Sequence, residues 1–287
     1  MVAMINGLLI VDKDKDMTSR DVVNEISKLF KTKKVGHTGT LDPLATGVLV
    51  VTIGKATKLS EILTATEKEY QVEAILGIKT DTLDITGNIL KKETALFSKE
   101  KIVNVLNSFQ GSYDQEVPIY SAVKINGKKL YEYARNNEEV VLPKRLVTIK
   151  QIKLDDISYE NNQTIIKFTC LVSKGTYIRS LVNDIAVKLN TVGTMKNLRR
   201  LRQGKYLITD AYKLDDIKNN NYKIITLKEA LNNYYTVKVD EKLKFKIING
   251  QILDNIYNQD YVLFVDEDVL ALYKSVNNKL KPYKMFI

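Results

Sequence analysis

Residues 36–47, GHTGTLDPLATG, are denser in turn-forming residues than any other stretch of the chain, and the apolar run VLVVTI follows them directly. Glycine and the Asp-Pro pair interrupt helices and strands, whereas a short apolar run bounded by turn residues is typical of a buried strand. The segment also contains His37, the only histidine in 287 residues. The pattern predicts a loop on a rigid scaffold, the usual setting for binding and catalytic side chains.

Asp42, within this loop, has two interpretations. Asp42-Pro43 fits a helix N-cap with proline at the first helical position, followed by a short helical turn through Ala45 that ends at Gly47. Capping contributes only about 1 kcal/mol, however, and does not require surrounding glycines. Alternatively, the loop holds the Asp42 carboxylate at the mouth of a cleft, where glycines let the backbone turn tightly and let another molecule approach. The local sequence leaves both interpretations open.

The scarcity of histidine and cysteine excludes whole classes of enzyme. With one histidine and one cysteine, Cys170, the chain cannot build a four-ligand Cys/His zinc site or an internal disulfide. A Ser-His-Asp triad would need His37 as its base, and neither a GxSxG elbow nor a nucleotide-binding glycine loop is present. Catalysis would therefore depend on carboxylates, tyrosine, lysine and arginine, with no metal and no cofactor.

The chain also lacks membrane signals. No apolar run reaches the roughly 20 residues needed to cross a bilayer. The start, MVAMINGLLIVDK, has neither the basic region nor the cleavage site of a signal peptide. A single cysteine suits a reducing compartment, so we expect a cytoplasmic protein without a membrane partner.

The net charge of +10, from 44 Lys and Arg against 34 Asp and Glu, indicates an acidic partner, nucleic acid first. Residues 196–205, KNLRRLRQGK, contain five cations and no acid, and a smaller cluster, KTKK, occupies 31–34. Scattered lysines on a soluble enzyme would also explain the charge. The acid-free run favours contact with an RNA backbone, with Arg199 and Arg200 among the binding residues.

Periodicity along the chain predicts an α+β fold. Thr18 and Asp21 have capping-box spacing before an amphipathic helix, and residues 68–76 alternate as a half-buried strand does. We expect a large mixed, mostly antiparallel sheet flanked by helices, with a cleft across it and a small C-terminal β-domain. The other predicted strands are 7–12, 48–53, 146–159, 163–172 and several within 193–208, and the other predicted helices lie near 56–63, 98–109, 178–189 and 226–233.

Arg179 lies in SKGTYIRS (173–180), where Thr176 is the expected N-cap of a helix. A cation in the first helical turn opposes the positive end of the helix dipole, at a cost of roughly 0.3–1 kcal/mol, which an anionic partner would offset. Arg179 could simply point to water. The sharper hypothesis pairs Arg179 with Asp42, which would keep the carboxylate ionised and orient it through a two-pronged contact.

Several further side chains have both a structural and a functional interpretation. Tyr70 lies on the apolar face of its strand, so it is either a core residue or a ring that stacks on a base and takes part in proton transfer. Tyr177 has the same ambiguity. His37 and Lys13 could be ordinary polar residues, or they could contact phosphate or a base.

Taken together, these segments resemble the bacterial tRNA pseudouridine-55 synthases, the TruB-type family. The match runs in order along most of the chain, through GHTGTLDPLATGVLVV, KEYQVEAILGIKTDTLDITG, YSAVKINGKKLYEYAR, SKGTYIRSL and LRRLRQGKY. The resemblance implies an essential Asp42, with Tyr70 and Arg179 as its catalytic companions and Leu198 against the target base. The stretch DKDKDMTS departs from the family pattern, because Asp14 and Asp16 stand where the family usually has Pro and Gly.

The resemblance also implies a domain organisation and a partner. Residues 1–235 would be the catalytic domain, with an insertion at about 120–146 that grips the RNA, and 236–287 a small PUA-like β-domain. The partner would be the T-arm stem-loop of tRNA. No protein partner would be required, and the chain would be a monomer.

The implied reaction converts a uridine, an N-glycoside, into pseudouridine, a C-glycoside. It is an isomerisation and needs no redox cofactor, metal or energy source. The base must first be flipped out of the folded arm, at a cost of a few kcal/mol. An ionised Asp42 could attack the sugar C1′ or begin an elimination, and the sequence leaves this choice open.

Two other functions fit parts of the sequence. One is a non-catalytic RNA-binding or tRNA-folding protein on the same scaffold, which would bind tRNA without isomerising it. The other is a carboxylate glycoside hydrolase, which would need a second acid, such as Asp81 or Asp84, facing Asp42. A charge of +10 suits a polysaccharide substrate poorly.

Overall fold

The structure, a computed structural model, describes residues 5–287. Its strands are β1 (Gly7–Lys13), β2 (Val35–His37), β3 (Thr46–Ile53), β4 (Lys68–Leu76), β5 (Ile78–Thr80), β6 (Ile89–Lys92), β7 (Gly111–Glu116), β8 (Lys124–Ile125), β9 (Lys128–Lys129), β10 (Lys144–Glu160), β11 (Gln163–Val172), β12 (Gly193–Gln203), β13 (Tyr206–Leu207), β14 (Ile225–Thr226), β15 (Tyr235–Lys238), β16 (Leu253–Asp254), β17 (Tyr261–Val265), β18 (Val269–Val276) and β19 (Lys279–Met285).

The α-helices are between 4 and 11 residues long. They are α1 (Ser19–Leu29), α2 (Ser60–Thr64), α3 (Lys99–Asn107), α4 (Leu130–Arg135), α5 (Ile178–Lys188), α6 (Leu214–Lys218), α7 (Leu227–Ala230) and α8 (Glu241–Ile248). Two 3-10 helices, Gly54–Leu59 and Ile208–Asp210, connect neighbouring elements. Within residues 5–287, no helix combines the length and apolar character that crossing a membrane requires.

A ten-stranded sheet forms the main scaffold. Its strands follow the order β14-β1-β3-β12-β4-β11-β10-β7, with β13 on β12 and β2 on β3. The pairing of β12 with β3 is parallel, and the other pairings of this sheet are antiparallel. The predicted α+β fold with a mixed, mostly antiparallel sheet is confirmed.

Strand β1 is buried on both faces of the sheet, which explains why its sequence GLLIV contains no polar residue. Leu9 and Val11 belong to the core cluster that contains α1 and α5 residues, while Leu8 and Ile10 belong to a second cluster on the opposite face. A strand that is covered on both faces cannot alternate with polar residues. The second cluster also includes Leu263 and Phe286, so the C-terminal segment covers that face of the sheet.

The C-terminal segment forms a five-stranded sheet in the order β15-β17-β18-β19-β16. The prediction of strands with polar turns is confirmed there, but it missed helix α8, whose N-cap Asp240 accepts a hydrogen bond from the amide of Leu243 at 2.7 Å. The sequence EKLKFKII misled the prediction, because Leu243, Phe245 and Ile247 alternate with lysines as in a strand, whereas in the helix Ile247 is buried and Phe245 is exposed. The division of the chain at residue 235 stays a prediction.

The structure corrects two local expectations, one for the loop at 36–47 and one for the start of helix α5. Residues 42–45 form a turn rather than the start of a helix, closed by the Ala45 amide donating to the Asp42 carbonyl at 3.0 Å. Helix α5 begins after Tyr177 instead of Thr176, and its N-cap side chain makes no capping hydrogen bond. By contrast, the capping box of Thr18 and Asp21 at the start of α1 is present as predicted.

Candidate active site

An open cleft of about 760 Å³ crosses the main sheet. The loop at 36–47, the starts of β4 and α5, the middle of β12 and the insertion before β10 all contribute to it. Its lining residues are Gly39, Thr40, Leu41, Asp42, Thr64, Lys68, Tyr70, Tyr120, Ser121, Ala122, Tyr131, Arg145, Leu146, Val147, Lys174, Gly175, Thr176, Tyr177, Ile178, Arg179, Leu198 and Arg200. Five of them are cations, and Asp42 is the single carboxylate among these described residues.

Asp42 and Arg179 form a two-pronged ion pair at this cleft. The Nε of Arg179 lies 2.9 Å from Oδ2 of Asp42, and its Nη2 donates to Oδ1 at 3.3 Å. The Arg179 side chain is 7% exposed and that of Asp42 is 35% exposed, so the cation is buried while the carboxylate reaches the cleft. The contact expected from the sequence is therefore present.

Arg179 is also held from its other side. Its Nη1 donates to the carbonyl of Thr82 at 3.2 Å, and its Nη2 donates to the carbonyl of Tyr120 at 3.0 Å. A guanidinium that is fixed by two carbonyls presents its remaining donors in one orientation. The Asp42 carboxylate is thereby oriented by Arg179 and, because it opens to the cleft, remains accessible to a bound molecule.

The glycines of the loop serve a close approach between two backbones. Gly47 has φ +99°, and a Cβ there would lie 2.2 Å from the carbonyl oxygen of Arg200 on the neighbouring strand β12. Gly39, at φ +90°, lies over the Arg200 guanidinium, which donates to its carbonyl at 3.0 Å. At Gly47, the absence of a side chain therefore permits the close approach of strand β12 of the same protein, and not that of another molecule.

We expect Gly47→Ala to lower the free energy of unfolding by at least about 2 kcal/mol, because it combines backbone strain with a collision. The displaced loop should also lower activity. Urea denaturation and an activity assay check both effects. Gly111→Ala is the matched control, since Gly111 has φ +117° with no atom within 4 Å of a built Cβ. Equal destabilisation by the two variants would contradict the role of close approach.

Tyr70 and Lys68 share one face of β4. Tyr70 is 8% exposed and lines the cleft, together with Leu198 from the adjacent strand β12. Lys68 also lines the cleft, and its ammonium donates to the carbonyls of Thr64 and Thr66, each at 2.7 Å. Sequence reasoning missed Lys68, although its spacing of two from Tyr70 places both side chains on one face.

Lys13 does not reach the surface. It is 0% exposed, and its ammonium donates to the carbonyls of Asp14, Met17 and Pro43 at 2.9, 2.6 and 3.3 Å. A fully buried ammonium cannot contact a phosphate, so the expected RNA contact is replaced by support for the residue next to Asp42. In the same segment, Asp16 adopts φ +65°, a conformation that favours glycine, the residue that the resemblance leads us to expect at this position.

Burial lowers the pKa of Lys13 to about 8 from its ordinary 10.5, although Asp42 and Asp14 act in the opposite direction. Between these two values the unfolded chain binds a proton that the folded protein does not, so this group makes folding more favourable as pH rises. We expect the unfolding free energy of the wild type, relative to Lys13→Met, to increase from pH 8 to pH 10 in urea denaturation. A decrease over this window would contradict the assignment.

His37 ends strand β2 and does not line the cleft. Its Nδ1 is buried and has no hydrogen-bond partner within residues 5–287. Burial, followed by the charges of Arg20 and Arg200, lowers the pKa of its imidazole, so the neutral form is favoured. Contact between His37 and RNA stays a prediction.

The basic run at 196–205 does not form the free cationic surface expected from the sequence. Lys196 pairs with Glu73 at 2.9 Å, Arg199 with Asp12 at 2.9 Å and Arg202 with Glu69 at 3.0 Å. Arg200 is 1% exposed and donates to the carbonyls of Val48 and Gly39, while Lys205 donates to the carbonyl of Glu229. Alternation along β12 sends these side chains to both faces, where acids from distant strands meet them.

Asp81 and Asp84 do not supply a second acid to the cleft. Asp84 accepts hydrogen bonds from the hydroxyl groups of Thr82 and Thr86 at 2.9 and 2.5 Å, and Asp81 accepts from the amide of Asn88 at 2.9 Å. Both carboxylates therefore stabilise the turn that presents the Thr82 carbonyl to Arg179. The paired carboxylates of a glycoside hydrolase are not present among the described lining residues.

The insertion before β10 contains the β8–β9 hairpin and helix α4. Tyr120, Ser121 and Tyr131 from this region line the cleft, and Tyr131 lies between two cations, with Lys129 and Arg135 each 5.3 Å from its ring centroid. The predicted helical stretch within the insertion is confirmed. The insertion therefore contributes Tyr120 and Tyr131 to the same cleft as Asp42.

Comparisons with known proteins show the family to which the chain belongs. The model described as "TruB family pseudouridylate synthase (N terminal domain)" matches residues 27–178, and the "tRNA pseudouridylate synthase B C-terminal domain" model matches residues 179–241. The chain is a pseudouridylate synthase. It belongs to the TruB family, because it is also 40% identical over 304 aligned positions to the tRNA pseudouridine synthase B of Staphylococcus aureus strain MSSA476, covering 99% of this chain and 100% of that protein.

Solved structures share the fold at lower identity. The chain is similar to one in "Structure of H/ACA RNP bound to a substrate RNA containing 2'-deoxyuridine", with a TM-score of 0.71, 22% identity and coverage of 98% of this chain and 85% of the other. It has the same TM-score, identity and coverage against a chain of "Crystal Structure of a Cbf5-Nop10-Gar1 Complex". At this identity the likeness concerns the fold.

Proposed function

We propose that this chain isomerises uridine 55 in the T-arm of tRNA to pseudouridine, with Asp42 as the essential group. The observation that carries the proposal is the cleft in which a single described carboxylate, held by Arg179, shares the lining with five cations and four tyrosines. RNA supplies the negative charge and the bases that such a lining fits. The full-length similarity to a tRNA pseudouridine synthase B supports tRNA as the substrate.

Catalysis begins with extrusion of the target nucleotide into the cleft. Arg145 and Lys174 are exposed side chains of the cleft lining and would offset the cost of unstacking by contacts with the phosphates. Tyr70 would stack on the uracil, Leu198 would contact its other side, and Tyr177 would border the sugar. Arg199 keeps a proposed RNA contact, since its side chain is 35% exposed beside Asp12.

The chemical step breaks the bond between C1′ and N1 and forms the bond between C1′ and C5. The uracil turns over while it is bound, C5 loses its proton and N1 gains one, so the product is an isomer of the substrate. Asp42 acts at the sugar, either as the nucleophile at C1′ or as the base that starts elimination, and both routes need an ionised carboxylate. Tyr70 would assist the loss of the C5 proton.

The remaining parts of the chain have supporting roles in this proposal. Residues 1–235 would be the catalytic domain, the insertion at 120–146 would grip the T-arm hairpin, and 236–287 would be a PUA-like domain. The protein would act as a monomer in the cytoplasm without a protein partner.

An unmodified tRNA transcript tests the proposal. We expect pseudouridine at position 55 after incubation with the protein, and none when cytidine replaces that uridine. Because the two isomers have the same mass, the product is measured by carbodiimide labelling of pseudouridine, which stops primer extension at the modified position. Binding should weaken steeply with salt, because phosphate contacts release counterions. Salt-dependent binding without isomerisation would instead support a non-catalytic RNA-binding protein.

A further inference from the structure

The beginning of helix α5 carries Arg179 but lacks a cap of its own, because the N-cap side chain of Tyr177 makes no capping hydrogen bond. Strand β7 fills this role from outside the helix. The side-chain oxygen of Gln115 accepts from the backbone amide of Tyr177 at 2.8 Å, and the Ser180 hydroxyl donates to the carbonyl of Glu116 at 2.8 Å. Two bonds thus fasten the first turn of α5 to β7.

Gln115 is the first member of a longer chain of hydrogen bonds. Its Nε2 donates to the hydroxyl oxygen of Tyr113 at 2.7 Å, and the Tyr113 hydroxyl donates to Oδ2 of Asp184 at 3.0 Å. Gln115 is 1% exposed, and Asp184 lies on α5, seven residues after Tyr177. This series of hydrogen bonds therefore begins at Tyr177 of α5, passes through two side chains of β7 and ends at Asp184 of α5.

The two ends of this chain fix the direction of every bond. A backbone amide can only donate, so the oxygen of Gln115 must face Tyr177 and its nitrogen must face Tyr113. At the other end, the Tyr113 oxygen already accepts from Gln115, so the Tyr113 proton points to Oδ2 of Asp184. Each of the three hydrogen bonds thus has a defined direction, and a buried network of this kind is lost when one link has the wrong polarity.

We propose that Gln115, Tyr113 and Asp184 are positioning residues that fix the first turn of α5 and thereby hold the Arg179 guanidinium on Asp42. The inference rests on the proposed function of the cleft. None of the three lines that cleft with Asp42; Tyr113 and Asp184 line a second cavity of about 540 Å³, which also borders Ser180 next to Arg179. They act through Arg179 and do not touch the substrate.

The effect should appear in the rate of the chemical step and not in tRNA binding. A displacement of a catalytic group by about 1 Å costs on the order of 10²-fold in rate. The phosphate contacts lie elsewhere in the cleft, so the dissociation constant for tRNA should change by less than about threefold. A role in general stability would instead leave the rate of the folded protein unchanged.

Gln115→Glu is the informative variant because it keeps size and the acceptor for Tyr177 but removes the donor to Tyr113. Two carboxylates, Glu at 115 and Asp184, then flank one hydroxyl proton. We expect the single-turnover rate of pseudouridine formation at pH 8 to fall about 10²-fold. Asp184→Asn alone should cost less than about threefold, since the amide oxygen of asparagine still accepts from Tyr113.

The double variant Gln115→Glu/Asp184→Asn reverses the polarity of the chain. The Tyr113 hydroxyl then donates to Glu at 115 and accepts from the amide of Asn at 184, so all groups are satisfied again. We expect this variant to recover at least about tenfold of the rate lost in Gln115→Glu. Recovery of activity by a second change that does not by itself raise the rate is not expected of independent packing residues.

Tyr113→Phe provides a second test should Gln115→Glu fold poorly. The ring keeps its edge contact with Phe109, at a centroid distance of 5.6 Å, and only the hydroxyl is lost. We expect a rate loss of more than about tenfold with unchanged tRNA affinity. In an Arg179→Lys background the same change should add little, because its effect passes through the arginine.

The outcomes separate this inference from the proposed function. A wild-type protein that forms no pseudouridine overturns the proposed function itself. An active wild type combined with folded Gln115→Glu and Tyr113→Phe variants of normal rate overturns only the positioning role. Loss of rate that the double variant does not recover, or that is matched by an equal loss of tRNA affinity, overturns it as well.

Discussion

Asp42→Asn is expected to abolish pseudouridine formation, lowering the single-turnover rate by about 10⁴-fold or more, the scale on which loss of a central catalytic group acts. The substitution keeps the size of the side chain and one acceptor for Arg179, which stays bound to the carbonyls of Thr82 and Tyr120. It removes the only carboxylate among the described lining residues of the cleft. No neighbouring acid can replace it.

Affinity for tRNA should survive this change, because the cations of the cleft are untouched and removal of one negative charge favours phosphate binding slightly. Filter binding at several salt concentrations measures this directly. Asp254→Asn is the matched control, since Asp254 is ion-paired with Lys279 at 2.5 Å in the C-terminal sheet, outside the cleft. Wild-type activity in Asp42→Asn would end the assignment of Asp42, whatever the affinity.

Local patterns were sufficient to predict most of the scaffold. The alternation of 68–76 corresponds to β4, Lys68–Leu76, and the apolar run after the loop is β3. The helical spacing after Tyr177 identified the buried face of α5. These predictions succeed because a strand or helix with one buried face records that face in its own sequence.

The contact between Asp42 and Arg179 joins residues 137 positions apart, and no local pattern specifies it. It was predicted from charge. Arg179 is a cation at the positive end of a helix dipole, which an anion would offset, and Asp42 is a carboxylate in a glycine-rich loop. The resemblance to a family then brought the two motifs together. The buried carbonyls that also hold Arg179 had no such signal.

The basic run at 196–205 shows why charge patterns fail where partners are distant. Its acid-free sequence suggested a free surface, yet Glu69 and Glu73 from β4 and Asp12 from β1 neutralise three of its cations. These acids are more than 100 residues away and become neighbours only through the order of the strands. Similarly, the burial of the Lys13 ammonium depends on the loop at 36–47, whose Pro43 carbonyl accepts a hydrogen bond from it.

Arg179→Ala is expected to eliminate activity and to destabilise the fold. Removing one partner of a buried ion pair costs about 3–5 kcal/mol, because a charge is left unpaired. The lower part of that range applies here, since Asp42 is 35% exposed and water can screen it. The carbonyls of Thr82 and Tyr120 also lose their donor. Urea denaturation and the single-turnover assay measure the two effects.

Arg179→Lys separates charge from geometry. Lysine retains the cation but not the planar fork that binds Asp42 through two nitrogens, so we expect most of the stability to return while activity stays low. If the pair is the reason for the instability, Asp42→Ala/Arg179→Ala should be less destabilised than the sum of its single variants, because no charge is then left unpaired. Additive losses would show that Arg179 supports the fold independently of Asp42, and full activity in Arg179→Lys would show that orientation of the carboxylate is not required.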